Sequence, residues 1–356
     1  MLSCYWFVIA APVAAYALAW AANKNKPTRD KFAIAVFFLT YIGCVCLRDL
    51  SVGVDTINYV RYFRSGPVLG WDHGYYYGKS EPGFHLLCAI ISLIGNERLF
   101  LIICGLLAVL PIAILYFKES ESAPLCCSFF LISLLFEFLF SGVRQGVAVG
   151  IGVISFYFVK KKKLIPFLFT VGLATSIHSS AIVLVILYPL FYAKITQKWI
   201  PVALLIIGAA YAFKDTIFNT ILLPMFGGDY LSGYEYLTGA SDQGALSALF
   251  LLFAIYSCIM LDSDRADAVT LGFRNILLLA ALVHIFTALH PVVCRLNYYF
   301  IPFIPLALSR VNNRVRALFK PIEQIASFVL PVYFVTYFLF AKGDSLHIAP
   351  YLTFFM

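Results

Sequence analysis

Long apolar runs, each bounded by one or two charged residues, determine what this chain can fold into. The runs at residues 99–117, 125–140 and 328–341 are apolar on every helical face. Of the 356 residues, 62% are hydrophobic and 12% are charged, whereas an ordinary soluble domain has about 25% charged residues. A membrane β-barrel shows short segments of alternating polarity instead. The sequence therefore predicts an all-α, polytopic transmembrane protein.

Basic residues gather in a few short segments, and these set the predicted orientation. The clusters lie at residues 24–31, 160–163, 194–198 and 310–320. Short loops rich in Lys and Arg remain in the cytoplasm, so residues 48–80 and 214–243 are predicted to be external loops. The net charge of +8 is mainly a topology signal. It does not indicate nucleic-acid binding, because the charges are divided among loops.

With this orientation, the chain is predicted to cross the membrane about twelve times, with both termini outside. The apolar run at residues 83–95 is too short to span, and it is predicted to be a re-entrant or interfacial helix that starts near Pro82. Residues 1–356 are expected to form a single integral membrane domain. The predicted spans are 4–22, 32–47, 99–117, 124–140, 146–159, 164–177, 179–193, 199–213, 244–261, 271–289, 296–309 and 322–341.

Lone ionisable residues lie at or near the predicted outer ends of the helices. Such groups are costly within a membrane and are as a rule functional. Their common side predicts one polar site at the outer face of the membrane. The residues are Arg48, Asp55, Glu81, Arg144, His178 and Arg295.

Five polar motifs carry a resemblance to a known family. They are RDLSVGVDTINY at residues 48–59, EPGF at 81–84, SGVRQGVA at 141–148, IHSSA at 177–181 and CRLNYYF at 294–300. In order and spacing they resemble the EpsG family of polysaccharide-assembly proteins, which is grouped with Wzy-type O-antigen polymerases.

The resemblance implies a GT-C-like fold and a metal-independent glycosyltransferase that needs no cofactor. Such a polymerase joins undecaprenyl-diphosphate-linked oligosaccharide repeat units into O-antigen, capsule or exopolysaccharide. It implies a multi-pass protein of the bacterial cytoplasmic (inner) membrane with its active site facing the periplasm or the exterior. The partners that the resemblance implies are membrane lipid, the lipid-linked oligosaccharide, a chain-length regulator and a flippase.

Three arginines are candidate ligands for the diphosphate: Arg48, Arg144 and Arg295, with Gln145 next to the second. Guanidinium remains ionised and binds phosphate oxygens bidentately, so it can stabilise a diphosphate leaving group without a divalent ion. Alternatively, Arg144 only ends a span, and Arg48 pairs structurally with a neighbouring aspartate.

A general base for the attacking sugar hydroxyl is sought among His178, Asp55 and Glu81. Histidine has a pKa suited to proton transfer near neutrality. Alternatively, His178 is a core residue capped by Ser179 or Ser180, Glu81 caps its own helix, and Asp55 holds an arginine in place. No acidic pair or histidine cluster shows metal-ligand spacing, so no metal site is predicted.

Aromatic residues near these motifs are candidate saccharide contacts: Tyr59, Trp71 and Tyr298. Sugar rings offer apolar C–H faces to aromatic rings and polar rims to hydrogen-bonding neighbours. The alternative for any single tyrosine is the interfacial aromatic belt of membrane proteins.

Three other functions compete with a polymerase. A flippase or transporter for lipid-linked saccharide should carry polar residues through the bilayer midplane and show repeat symmetry, and neither is visible. An O-antigen ligase shares the chemistry and differs in its acceptor. A polysaccharide acyltransferase should show a His–Asp pair, and His178 has no acid adjacent in sequence.

Overall fold

The computed structural model describes residues 3–70, 81–222, 224, 243–289, 291–341, 346–348 and 350–355. Over these residues the chain is helical, with short 3-10 and π segments between the α-helices. Extended pairing within them is limited to two isolated bridges, Arg48 with Thr353 and Leu261 with Val315. The prediction of an all-α protein is confirmed.

The helices fall into two units, which are described separately. The first unit comprises Met1–Val185 and Val329–Met356, and the second comprises Ile186–Phe328. The first contains α1 (Ser3–Ala21), α2 (Lys26–Cys46), α3 (Thr56–Leu69), α4 (Pro82–Ile94), α5 (Glu97–Glu119), α6 (Ala123–Ile132), α7 (Leu134–Ser141), α8 (Val143–Lys160) and α9 (Leu164–Ile177). The second contains α10 (Leu187–Tyr192), α11 (Ile200–Ala212), α12 (Lys214–Ile217), α13 (Gln243–Met260), α14 (Ala268–His284), α15 (Pro291–Asn297) and α16 (Ile304–Asn313), and α17 (Lys320–Phe340) runs from the second unit into the first.

Helices α2, α5, α7 and α8 pack together in the core of the first unit. Tyr41 of α2 stacks on Phe136, with ring centroids 4.8 Å apart, and its hydroxyl donates to the Phe136 carbonyl at 2.6 Å. Gly150 of α8 lies against α5 so closely that a side chain there would overlap the Leu107 carbonyl oxygen. Aromatic packing and small residues therefore hold these helices together.

Four described helices are long and apolar enough to cross a membrane, and two bent helix pairs raise that number to six if each pair is one span. The bent pairs are α6 with α7, at 59°, and Gln197–Ala212 with Lys214–Leu222, at 77°. The long helices are Glu97–Glu119, Val143–Lys160, Ala268–Thr287 and Ala317–Phe340. Several further apolar helices are shorter, so the prediction of about twelve crossings stays a prediction.

One predicted span is divided and one predicted loop contains a helix. The span at 124–140 breaks at Ser133, whose backbone is extended and whose hydroxyl donates to the Phe130 carbonyl at 2.6 Å. Within the loop at 48–80, Val60 and Phe63 of α3 are buried, which gives α3 an apolar side. Residues 71–80 lie outside the described part.

A C-terminal segment packs against the first motif. The Asp49 N–H donates to the Leu352 carbonyl at 2.9 Å, and the Gly53 N–H donates to the His347 carbonyl at 3.1 Å. The Tyr351 hydroxyl donates to the Cys44 carbonyl at 2.8 Å. Residues far apart in sequence thereby fix the end of α2 and the turn that follows it.

Candidate functional site

Three helix ends in the first unit bring the second, third and fourth motifs together. Glu81 precedes α4, Arg144 lies in the first turn of α8, and His178 follows the last residue of α9. A Cβ atom at Gly83 would lie 2.7 Å from the Ser176 carbonyl oxygen. The glycine therefore allows the start of α4 to pack directly against the end of α9.

The Glu81 carboxylate connects the other two residues. Its Oε2 lies 2.8 Å from Nη1 of Arg144, and its Oε1 lies 3.3 Å from Nδ1 of His178. Oε1 also accepts the Ser179 N–H at 2.7 Å. The side chains of Glu81, Arg144 and His178 are 16%, 12% and 11% exposed, so water screens this cluster only weakly.

These contacts decide how Glu81 ionises. Burial by itself raises the pKa of the Glu81 carboxyl, but His178, the Arg144 guanidinium and the Ser179 N–H together lower that pKa to about 2. A carboxylate with so low a pKa is a weak base at neutral pH. Its contacts are those of a residue that positions Arg144 and His178.

Glu81 does not cap its own helix. It occupies the N-cap position of α4 with an extended backbone, yet its side chain makes no capping hydrogen bond. The carboxylate instead reaches across to α8 and α9. The alternative that Glu81 caps its own helix thus finds no capping hydrogen bond in the structure.

Arg144 retains hydrogen-bonding capacity. Glu81 contacts Nη1, while Nε is buried and has no hydrogen-bond partner among the described residues. A buried donor without a partner costs about 1–3 kcal/mol. An oxygen-rich anion bound at this edge of the guanidinium would remove that cost.

The first motif lies against the start of the third. The Asp55 N–H donates to Oγ of Ser141 at 3.0 Å, and the Thr56 hydroxyl lies 3.1 Å from the Phe140 carbonyl oxygen. Gly53 has a φ of +89°, and a Cβ atom there would lie 2.7 Å from that same carbonyl oxygen. Glycine is thus required both by the backbone conformation and by the close approach.

Helix α3 continues this packing toward the second motif. The Tyr59 ring lies 6.0 Å from the Phe84 ring, edge to face, and Tyr62 stacks on Phe84 at 5.9 Å. Tyr59 therefore joins α3 to the helix that follows Glu81. Trp71, the second candidate saccharide contact, lies outside the described residues.

Two candidate diphosphate ligands of this unit are deeply buried. Arg48 is 2% exposed, and its Nη1 donates to the Val45 carbonyl at the end of α2. Its backbone pairs with Thr353 of the C-terminal segment. Gln145 is 4% exposed. Burial and the Val45 contact favour a structural role for Arg48.

The fifth motif belongs to the second unit. Its Asn297 is fully buried; the amide donates to the Ala280 carbonyl at 3.1 Å and lies 3.0 Å from Nδ1 of His284. Tyr298 is 7% exposed, whereas Arg295 is partly exposed. Of the two candidate site residues in this motif, Arg295 is therefore more accessible than Tyr298.

Sequence reasoning assigned no role to Ser141 or His284, and it considered Ser179 only as a cap of His178. Ser141 and Ser179 stand inside recognised motifs, immediately before Gly142 and after His178, so their positions were a usable signal. His284 gave none, because its partner Asn297 lies on a different helix.

Over the described ranges, no three His, Cys, Asp or Glu side chains are grouped so that they could hold a metal ion. The cationic group that contacts the Glu81 carboxylate is the guanidinium of Arg144.

The model of the EpsG family matches residues 31–353, which is nearly the whole chain. The chain belongs to the EpsG family. Members of the EpsG family are Wzy-like polymerases, so the resemblance seen in the motifs is confirmed. No curated protein and no solved structure matches the chain.

Membership of the EpsG family fixes the general class. Together with the apolar helices, it makes this a membrane-embedded protein of polysaccharide biosynthesis with a glycosyltransferase-like polymerase function. All five motifs lie inside the matched residues. The helix ends at Glu81, Arg144 and His178 are thus part of the EpsG region.

Proposed function

We propose that this EpsG-family protein joins undecaprenyl-diphosphate-linked oligosaccharide repeat units into O-antigen, capsule or exopolysaccharide. The reaction takes place at the outer face of the bacterial cytoplasmic membrane, in a single GT-C-like domain with about twelve crossings. It requires neither a metal nor a cofactor. A flippase supplies the lipid-linked units, and a chain-length regulator acts on the product.

The contact of Glu81 with both Arg144 and His178 carries this proposal. Glu81 fixes one edge of the guanidinium and leaves Nε without a partner among the described residues. A diphosphate oxygen suits that buried donor, because charge-assisted hydrogen bonds to guanidinium are strong. The other oxygen of the same carboxylate lies 3.3 Å from Nδ1 of His178.

In the proposed reaction Arg144 acts on the donor diphosphate and His178 acts on the acceptor hydroxyl. The acceptor hydroxyl oxygen forms a bond to the anomeric carbon of the donor while the bond from that carbon to the diphosphate oxygen breaks. Undecaprenyl diphosphate leaves with the electron pair, and Arg144 stabilises its added charge. The hydroxyl proton passes to the His178 imidazole, which acts as the general base.

The position of the cluster along α8 supports an outer-face site. Arg144 lies at the start of this 18-residue helix, and the Lys160–163 cluster follows its end. At 1.5 Å per residue the two ends are about 27 Å apart, close to the thickness of the hydrocarbon core. With the lysines in the cytoplasm, the Glu81 cluster is at the opposite face.

The remaining candidates have supporting roles in this proposal. Arg295, in the second unit, stays a sequence-based candidate for a diphosphate ligand, and Asp55 orients the acceptor or an arginine. Tyr59 is a saccharide contact, with Trp71 and Tyr298 as further candidates. Arg48 and Gln145 shape the site from buried positions.

Deletion of the gene tests the proposal against a flippase. Gel analysis of surface polysaccharide should show single-repeat product after loss of a polymerase and no product after loss of a flippase. A ligase differs from both, because its loss leaves polymer on the lipid carrier. Single-repeat product that returns to a full ladder on complementation supports the polymerase, and either other pattern contradicts it.

A further inference from the structure

An apolar cleft lies between α5 and α8, away from the Glu81 cluster. Its volume is about 700 Å³, and its walls include Leu106, Leu110 and Ile114 of α5 and Ile154 of α8. These four side chains are 38–46% exposed. The two helices touch at Gly150, and the cleft lies beyond this point, toward the C-terminal ends of both helices.

The mouth of the cleft is cationic. Lys118, Lys160 and Lys161 line it together with Glu119. Glu119 pairs with Lys160, whereas Lys118 and Lys161 have no carboxylate partner within 4.0 Å among the described residues. Two ammonium groups therefore remain for a further anion.

Tyr157 keeps one of these two lysines at the mouth. Its hydroxyl accepts a hydrogen bond from Nζ of Lys161, and the same Nζ lies 4.2 Å from the ring centroid. Tyr157 also lines the cleft. One aromatic side chain thus connects the apolar wall to the cationic mouth.

We propose that this cleft binds an anionic glycerophospholipid of the cytoplasmic leaflet. The lipid phosphate lies between Lys118 and Lys161, and one acyl chain fills the space between α5 and α8. An apolar cleft alone would accept any lipid, and lysines alone would accept any anion. Their combination fits a ligand that carries a negative head group on an apolar chain, as basic pockets between membrane helices do.

This site is distinct from the proposed diphosphate site. Lys160 and Lys161 lie at the C-terminal end of α8 and Lys118 lies in the last turn of α5, whereas Arg144 lies at the start of α8, about 24 Å from Lys160. The ligand is therefore a structural lipid of the opposite leaflet and not the polyprenyl donor. Its binding does not depend on whether the enzyme is a polymerase or a flippase.

Native mass spectrometry of the purified full-length protein in detergent tests the proposal. Phosphatidylglycerol and phosphatidylcholine with identical acyl chains are titrated separately. We expect phosphatidylglycerol to bind about tenfold more tightly, because its head group carries a net negative charge whereas the choline of phosphatidylcholine neutralises the phosphate. Equal binding of the two lipids would overturn the proposal.

Two double variants with the same change in charge locate the head group. Lys118→Gln with Lys161→Gln should weaken phosphatidylglycerol binding about tenfold. The control is Lys162→Gln with Lys163→Gln, because these lysines lie in the same basic loop but outside the cleft lining. Its affinity for phosphatidylglycerol should stay within about twofold of the wild-type value. An equal loss in both variants would mean that net charge alone attracts the lipid. If the first double variant does not fold, Lys118→Gln alone serves in its place.

Two further measurements separate a lipid from a free phosphate. Ile154→Trp places a bulkier ring in the cleft without altering the lysines, and it should weaken the binding of phosphatidylglycerol. Glycerol 3-phosphate, which has the charge without the chain, should not displace the bound lipid. Displacement by glycerol 3-phosphate, or unchanged lipid binding by Ile154→Trp, contradicts an acyl chain in the cleft.

Discussion

Oε2 of Glu81 lies 2.8 Å from Nη1 of Arg144, and this pair joins the start of α4 to the start of α8. Both side chains are mostly buried, at 16% and 12% exposure. Breaking such a pair leaves an uncompensated charge in a weakly screened position, which is destabilising. The guanidinium is therefore held in one orientation before a substrate arrives.

Glu81→Gln should destabilise the protein in a pH-dependent way. Because the folded-state pKa of Glu81 is lowered from 4.5 to about 2, its stabilising contribution is complete above pH 4.5 and is lost as the pH falls toward 2. At neutral pH that contribution reaches about 3 kcal/mol. The thermal midpoints of the wild-type and Glu81→Gln proteins should differ most at pH 7, differ by roughly half as much at pH 3, and converge only below about pH 2. A difference that is constant from pH 7 to pH 3 would show that the charge of Glu81 is not what stabilises the cluster.

Arg144→Lys should lose most of the activity although it keeps the positive charge. Lysine cannot contact Glu81 and a phosphate oxygen through one planar group. Loss of one strong transition-state contact costs about 3 kcal/mol, or about a hundredfold in rate. Chain elongation by the purified variant measures this. Arg64→Lys is the matched control, because Arg64 pairs with Glu97 at 52% exposure and should stay within about twofold. Equal effects of the two substitutions would remove Arg144 from the site.

His178→Gln should remain folded and lose most of its activity. A glutamine amide can keep a hydrogen bond to the Glu81 carboxylate, but it cannot accept the acceptor proton. The pH profile of the residual rate should therefore lose the limb that reports proton uptake by residue 178. Wild-type activity of His178→Gln would leave Asp55 as the candidate base.

Single cysteines at two exposed positions test the orientation. Val68 of α3 is 83% exposed, and Lys162 lies in the basic loop after α8. In a background without reactive native thiols, an impermeant reagent added outside should label Val68→Cys and not Lys162→Cys. The reverse pattern would place the Glu81 cluster in the cytoplasm and would exclude an outer-face polymerase site.

The sequence was sufficient for the fold class and for the components of the site. Apolar runs predicted the helices, and charged residues at their ends predicted Glu81, Arg144 and His178 as candidates. The contact that Glu81 makes with both others was not predictable, because it depends on three helix ends meeting. Without that contact the low pKa of Glu81 was not visible, and Glu81 looked as suitable a base as His178.

Other features escaped sequence reasoning for different physical reasons. The burial of Arg48 depends on a C-terminal segment that pairs with it from the far end of the chain. The break at Ser133 has no glycine or proline to signal it, since its neighbours are Ile132 and Leu134. Local patterns show where helices form, but tertiary contacts decide which of their ends meet.

The central claim is that this protein polymerises the repeat unit and that arginine alone stabilises the diphosphate. The most direct test is to supply the purified protein with a defined undecaprenyl-diphosphate-linked repeat unit, in excess chelator, and to measure elongation. The account predicts a ladder of polymer on the lipid carrier with the wild-type protein and no ladder with Arg144→Lys. A ladder that disappears in chelator and returns with magnesium or manganese would contradict stabilisation of the diphosphate by arginine alone. No elongation under either condition, with the folded protein moving the lipid-linked unit between leaflets, would contradict the polymerase itself.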